Sequence, residues 1–242
     1  MNATTRATRD LRAALTWVAE GTVLCRKVLA GLDETSYDAP STLPGWTRKH
    51  VVAHLAGNAE ALNNLVHWAR TGEPTPMYAS PDERTAAIAS GARLPADRLT
   101  AWFEESAQTL TDGMAALTAE QWRAEVVTAQ GRTVSASEIP WLRAREVLVH
   151  AVDLDSGVRF ADLPAEFRAE LRVDILAKRA RTADPTGTVV PTVPTVPTVP
   201  TVPAVPVVHG PPAEVTAYLA GRPYEGVTTT DGAPAEPLPP WL

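Results

Sequence analysis

Apolar residues recur every three or four positions through several long stretches of the chain. The first stretch, residues 8–32, carries apolar side chains near helical spacing at Leu11, Leu15, Val18, Val23, Leu24 and Val28. The second, residues 48–70, follows Thr47 as a predicted N-cap and ends at Gly72. Its apolar stripe comprises Val51, Leu55, Leu62, Leu65 and Trp68, and His54 lies on or beside this stripe. Both patterns are typical of amphipathic helices that pack one face against a core.

Further helix signals complete a bundle. The pair Ser80-Pro81 predicts a helix start, because proline suits the first helical position. One long helix is predicted from about Ala96 to Leu117 and another over residues 141–153. Between them, residues 124–137 have the β-branched pattern of a hairpin. Four main helices with an accessory hairpin predict an antiparallel four-helix bundle covering residues 1–157.

The character of the chain changes after this bundle. Residues 164–181 predict a charged helix, and residues 185–206 repeat Thr-Val-Pro. Proline at every third position removes hydrogen-bond donors that a sheet needs, so the repeat predicts a linker or an edge segment. Residues 158–242, with a short predicted helix at Ala213–Ala220, are predicted to form a small α/β domain. The predicted fold class is therefore mainly α with a small α/β part.

Composition and charge narrow the classes of function. Hydrophobic residues make up 45% of the chain and charged residues 21%, as in ordinary soluble proteins. The net charge of −6 argues against a nucleic-acid partner, since phosphate binding needs a basic surface. No run of about 18 apolar residues predicts a membrane span, and charges near the N-terminus break the pattern of a signal peptide. A cytoplasmic protein is expected, with a monomer as the default.

The chain has a single cysteine, Cys25. One cysteine excludes an internal disulfide and a thiolate metal cluster. Because Cys25 lies in the apolar run Val23-Leu24-Cys25, it is predicted to be a buried, inert thiol without a catalytic role.

A carboxylate and an imidazole lie four residues apart in the predicted helix over residues 141–153. Glu146 and His150 would share one face of it, in an apolar setting where a glutamate needs a partner or a metal. The second long helix offers His54 and, four residues earlier, His50. One histidine with the Glu146–His150 pair would make a His₂Glu site with an open coordination position, as in catalytic zinc sites. Spacing alone leaves open a hydrogen-bonded core histidine, a non-haem iron site and a structural zinc in a binding module.

Several motifs go beyond spacing: Gly45-Trp-Thr-Arg-Lys-His-Val-Val-Ala-His54, Gly72-Glu-Pro-Thr-Pro-Met-Tyr78, Thr128-Ala-Gln-Gly-Arg-Thr133, Arg145-Glu-Val-Leu-Val-His-Ala-Val-Asp153 and Pro240-Trp-Leu242. With these motifs the chain resembles, from about residue 8 to its end, the mycothiol-dependent maleylpyruvate isomerases, members of the DinB-like superfamily of metal-binding four-helix bundles. The resemblance implies zinc ligation by His54, Glu146 and His150. It gives His50 no ligand role, and Asp153 either orients a metal-bound histidine or is a solvated acid at a helix end.

The resemblance also implies that two arginines, Arg84 and Arg222, hold the carboxylates of the substrate. The planar guanidinium suits bidentate carboxylate binding. Arg222 follows the Thr-Val-Pro segment, where the chain departs from the family pattern, so its placement is the less secure of the two.

The activity implied is the cis–trans isomerisation of maleylpyruvate to fumarylpyruvate in gentisate-type aromatic degradation. A thiolate would add to the alkene, give an enolate with a rotatable C–C bond, and leave after rotation. Zinc would lower the pKa of the thiol of the co-substrate mycothiol, so no protein cysteine is needed. The alternative is a DinB-like mycothiol S-transferase, with the same bundle and ligands, that retains the conjugate. Two carboxylate anchors favour the isomerase.

Overall fold

The chain divides into two compact units, Met1–Val158 and Arg159–Leu242. The structure, a computed structural model, describes residues 10–183 and 206–241. The Thr-Val-Pro segment predicted as a linker or an edge therefore lies, except for Pro206, outside the described residues.

Six α-helices and one hairpin make up the described part of the first unit. The helices are α1 (Leu11–Leu29), α2 (Glu34–Asp38), α3 (Arg48–Thr71), α4 (Pro81–Gly91), α5 (Ala96–Ala115) and α6 (Ile139–Asp153). The hairpin pairs β1 (Glu125–Val127) with β2 (Thr133–Ser135) in antiparallel register, with Val126 opposite Val134. The long helices α1, α3, α5 and α6 are those that the apolar periodicity predicts.

These four helices pack around one core. Helix α1 packs along α6, and α3 packs against both α5 and α6. The contacts bury large apolar side chains completely, among them Leu55, Leu62, Leu99, Phe103 and Trp141. Burial of this much apolar surface is the main force that holds the four helices together. Helix α3 is shared by both pairs, so a residue on α3 can face either α5 or α6.

Local hydrogen bonds fix where the helices begin. The Asp10 carboxylate accepts a hydrogen bond from the Arg12 amide (2.9 Å), and Ser80 Oγ accepts one from the Glu83 amide (3.1 Å). Each satisfies a backbone donor that the first turn of a helix leaves free. Helix α3 ends at Gly72, whose φ of 78° closes the helix in the left-handed region that glycine favours.

One helix of the first unit was not predicted. Helix α2 is only five residues long, too short to show apolar periodicity. It is held by tertiary contacts, because the buried ammonium of Lys49 in α3 forms ion pairs with Glu34 and with Asp38 (2.9 Å). Helix α6 also begins two residues earlier than predicted, at Ile139, because Pro140 occupies its first turn.

The second unit is small. Its described α-helices are α7 (Ala165–Ala183) and α8 (Pro212–Leu219), which pack together, and β3 (Val208–His209) pairs antiparallel with β4 (Thr228–Thr229). The Arg179 guanidinium caps α8 by donating two hydrogen bonds to the Leu219 carbonyl (3.0 and 2.8 Å). None of the helices in the described ranges combines the length and hydropathy needed to cross a bilayer.

Gly21 allows α1 and α6 to approach closely. A Cβ atom on Gly21 would overlap Cγ2 of Val147 and would lie 2.9 Å from Cγ of Leu148. Gly57 in α3 differs, because a Cβ atom there would meet nothing closer than the Trp102 ring at 3.9 Å. Both glycines are helical, so only their surroundings distinguish them.

We expect Gly21→Ala to lower the free energy of unfolding by about 1–3 kcal/mol, because Val147 and Leu148 must move to accept the methyl group. Gly57→Ala is the matched control and should raise this free energy by about 0.5–1 kcal/mol, the usual gain for a helical glycine with room for a methyl group. Urea denaturation followed by circular dichroism measures both. Equal stabilisation by the two variants would contradict the close packing of α1 on α6.

Candidate metal centre and adjoining pocket

Helices α3 and α6 bring the three predicted ligands together. One donor atom each of His54, Glu146 and His150 lies within 4.8 Å of the others. Glu146 Oε2 is 2.9 Å from His54 Nε2 and 3.3 Å from His150 Nε2. Both imidazoles are buried, with 5% and 3% of their surface exposed. Two imidazole nitrogens and a carboxylate oxygen that converge in this way are a donor set suited to zinc.

The glutamate is ionised although only 13% of its side chain is exposed. Burial raises the pKa of Glu146, but hydrogen bonds from His150 and His54 outweigh this effect and hold the pKa well below its usual range. A buried carboxylate in this state needs positive charge beside it. A divalent cation bound between the three side chains would supply that charge.

Asp153 fixes the orientation of His150. Its Oδ2 lies 2.8 Å from His150 Nδ1, and its Oδ1 accepts a hydrogen bond from the Thr42 hydroxyl (2.8 Å). Asp153 has no exposed surface, so the interpretation of a solvated acid at the helix end is wrong. With Nδ1 bound to Asp153, the Nε2 atom of His150 points to Glu146 and is the atom available to a metal.

His150 is protonated when no metal is bound. Burial lowers the pKa of His150, but hydrogen bonds with Asp153 and Glu146 have the larger effect and raise this pKa to about 9. A metal that binds the Nε2 lone pair must therefore displace a proton from His150.

His54 is held in one tautomer by its neighbours. Burial lowers the pKa of His54 more than Glu146 raises it, so the ring is neutral at neutral pH. Nη2 of Arg84 is 3.3 Å from His54 Nδ1. Because a guanidinium only donates, Nδ1 accepts and the ring proton sits on Nε2, facing Glu146. If a metal were bound at Nε2, the neutral ring would carry its proton on Nδ1, and Arg84 would lose this acceptor.

His50 belongs to the helix end rather than to this cluster. Its Nδ1 accepts the Thr47 backbone N–H (3.2 Å) and lies 2.8 Å from the Thr47 hydroxyl. His50 thus helps to cap α3, which agrees with the absence of a ligand role in the sequence pattern.

A pocket of about 790 Å³ opens beside the cluster. His54 and Glu146 line it, together with Asn58, Tyr78 and Arg84. Its remaining walls come from residues 74–81 and from the turn between β1 and β2, residues 127–131. Most of these wall residues belong to the motifs Gly72–Tyr78 and Thr128–Thr133, for which the sequence predicted no role. A ligand in this pocket would contact the metal ligands and Arg84 together.

Sequence analysis missed two polar residues of this pocket, Asn58 and Tyr78. Arg143 of α6, only 1% exposed, donates hydrogen bonds to Asn58 Oδ1 (2.9 Å) and to the Leu55 carbonyl (2.7 Å). The Arg84 Cζ atom lies 5.9 Å from the centre of the Tyr78 ring. The sequence could have indicated Arg143. It is an arginine in an apolar stretch, three residues before Glu146, and this spacing places both on the same helix face.

Burial raises the pKa of Tyr78, so its phenol is protonated at neutral pH. The charge of Arg84, and hydrogen bonds from Arg84 and Asn58, oppose this rise only in part. The phenol is therefore a neutral hydrogen-bond donor on the wall of the pocket.

The second predicted substrate arginine, Arg222, lies in the second unit. It is 4% exposed, and its Nη1 atom donates a hydrogen bond to the Ala220 carbonyl (3.0 Å). Its contact with a substrate stays a prediction.

Known proteins are similar to this chain in sequence and in fold. The profile of the mycothiol maleylpyruvate isomerase N-terminal domain matches residues 18–155. A crystal structure of the mycothiol-dependent maleylpyruvate isomerase is 39% identical, with a TM-score of 0.82, over 95% of this chain and 96% of that one. This chain belongs to the mycothiol-dependent maleylpyruvate isomerase family. The resemblance inferred from the sequence motifs, and the mainly α fold, are thereby confirmed.

Two further solved structures are similar to this chain. The crystal structure of a histidine-to-alanine mutant of the same isomerase matches equally well, at 39% identity, 95% and 96% coverage and a TM-score of 0.82. YfiT from Bacillus subtilis, described as a probable metal-dependent hydrolase with an unusual four-helix bundle topology, is 14% identical. It matches over 64% of this chain and 91% of its own, with a TM-score of 0.51, so it supports the bundle fold alone. No curated protein matches by sequence.

We expect Asp153→Ala to weaken zinc binding about 10- to 100-fold, because His150 loses the partner that orients its ring. Asp112→Asn, a change of an exposed aspartate on α5, is the control and should leave the affinity unchanged. Competition with a chromophoric chelator measures both values. An unaltered zinc affinity in Asp153→Ala would show that Asp153 does not position His150.

Proposed function

We propose that this chain isomerises maleylpyruvate to fumarylpyruvate with zinc and mycothiol. The observation that carries the proposal is the meeting of three metal-binding donor atoms, within 4.8 Å, beside a pocket that also contains Arg84. Family membership supports the reaction, since the structural relative at 39% identity is a mycothiol-dependent maleylpyruvate isomerase.

In this proposal His54, Glu146 and His150 hold the zinc. Three protein ligands leave a position for an exogenous sulfur ligand, and zinc when bound makes such a thiol acidic enough to ionise near neutral pH. The chain has no thiol of its own for this task. Cys25 is fully buried, donates to the Val147 carbonyl (3.2 Å), and its pKa is raised by burial to about 12.

The reaction needs a double bond that becomes single for a moment. The thiolate sulfur bonds to one alkene carbon, and the π electrons move to the conjugated ketone oxygen as an enolate. The former double bond is now a single C–C bond and can rotate. The enolate electrons then re-form the double bond while the C–S bond breaks, which restores the thiolate. Arg84, on the wall of the pocket, is suited to bind a carboxylate through its planar guanidinium. Arg222 is the proposed anchor for the other carboxylate.

The proposal is tested with purified, zinc-loaded protein, mycothiol and maleylpyruvate. The ultraviolet band of the cis substrate should decay to fumarylpyruvate, and omission of the thiol or chelation of the metal should stop the decay. Accumulation of a stable thiol conjugate without fumarylpyruvate would contradict the isomerase and indicate the S-transferase. Metal analysis of the purified protein decides between zinc and iron.

We expect Arg84→Ala and Arg222→Ala each to lower kcat/KM by about 100-fold or more, because each removes a charged partner of the substrate. Their zinc content should equal that of the wild type. Arg93→Ala, which removes an exposed arginine just after α4, is the control and should retain activity. Full activity of Arg222→Ala would contradict the role proposed for the second unit.

A further inference from the structure

The motif Gly72–Tyr78 forms one wall of the pocket and has no role in the chemistry above. Two contacts fix it. The Asn64 side chain in α3 donates to the Pro76 carbonyl (3.2 Å), and Met77 Sδ accepts the Ala129 amide N–H (3.2 Å) from the β1–β2 turn. The backbone that carries Tyr78 is thus tied to α3 on one side and to the hairpin on the other.

The side chain of Tyr78 lies beside Arg84, whose Cζ atom is 5.9 Å from the centre of the Tyr78 ring. Asn58 lines the same pocket. Asn58 is held in place, because its Oδ1 accepts a hydrogen bond from the buried Arg143 (2.9 Å). Every contact in this chain of side chains lies within the first unit.

The position of Tyr78 on the pocket wall determines what its phenol can contact. A phenol has two acceptor positions and one proton. Burial raises the pKa of Tyr78, so this proton stays on the oxygen at neutral pH. Since Tyr78 lines the same pocket as His54 and Glu146, its O–H is available to a ligand there.

The proposed reaction needs such a donor. The two arginines are assigned to the carboxylates of the substrate, whereas negative charge develops on the ketone oxygen when the thiolate adds. A fixed neutral donor is most effective where charge appears in the transition state, because it needs no reorganisation then. The positive charge of Arg84 beside the phenol makes Tyr78 a stronger donor.

We propose that Tyr78 is a catalytic residue that donates a hydrogen bond to the ketone oxygen of the substrate as it becomes an enolate. The phenol keeps its proton throughout, so no further acid or base is required. This inference rests on the proposed isomerase function, whereas the position of Tyr78 in the pocket does not.

The first test is Tyr78→Phe, which keeps the ring beside Arg84 and removes the hydroxyl. We expect kcat to fall about 30- to 100-fold with KM changed less than about threefold, since the hydrogen bond strengthens only in the transition state. Zinc content and melting temperature should stay at wild-type values. Tyr37→Phe is the matched control, because it removes a phenol bonded to Thr100 (2.6 Å) that does not line the pocket, and its kcat should be unchanged.

A second variant distinguishes loss of the hydrogen-bond donor from an effect on folding. Replacement of Tyr78 by 3-fluorotyrosine retains a donor but makes the phenol more acidic. We expect activity well above that of Tyr78→Phe, and an alkaline limb of the kcat–pH profile that moves to lower pH, because the ionised phenol cannot donate. An unmoved alkaline limb, an unchanged kcat in Tyr78→Phe, or an effect confined to KM would overturn the role of Tyr78. Failure of the wild-type protein to isomerise maleylpyruvate would instead contradict the proposed function.

Discussion

A largely buried carboxylate that bridges two helices is the constraint on which the rest of the site depends. Glu146 on α6 is ionised in the interior of the bundle, and its partner on the facing helix is His54. An ionised group without partners is costly to bury, so α3 and α6 must pack in the one register that brings His54 to Glu146. The same register opens the pocket beside these side chains and determines which residues of α3 can line it.

Other polar residues of α6 also have partners that restrict how this helix can pack. Arg143, Glu146, His150 and Asp153 follow one another at intervals of three or four residues, which places them on one face. Arg143 donates to the Leu55 carbonyl at one end, and Asp153 accepts from Thr42 at the other. Between them, His150 contacts both Glu146 and Asp153. The opposite face of α6 packs against α1. Helix α6 therefore has one face in the apolar core and the other in the polar site. Removal of a side chain from the polar face leaves its hydrogen-bond partner unsatisfied.

Sequence reasoning identified the parts of this site that depend on helical periodicity. The ligand set followed from a four-residue spacing and a family motif, and both are local to helices. Tyr78 lies in a loop without periodicity, and its place in the pocket depends on the contact of Met77 with the distant β1–β2 turn. Asp153 stayed ambiguous for a similar reason. Its position at the end of α6 was visible, but the burial produced by tertiary contacts such as that with Thr42 was not.

The environment of Cys25 has a consequence for durability. A catalyst that handles an activated alkene is exposed to alkylation by its own substrate, and thiolates are the groups that such alkenes modify fastest. Here the only thiol of the chain, that of Cys25, lies inside the bundle, hydrogen-bonded to the α6 backbone, with a pKa that burial raises to about 12. At neutral pH it is almost entirely an unreactive thiol. In the proposed reaction, the fold would therefore protect the protein from inactivation by its own substrate and leave the sulfur chemistry to the small-molecule thiol.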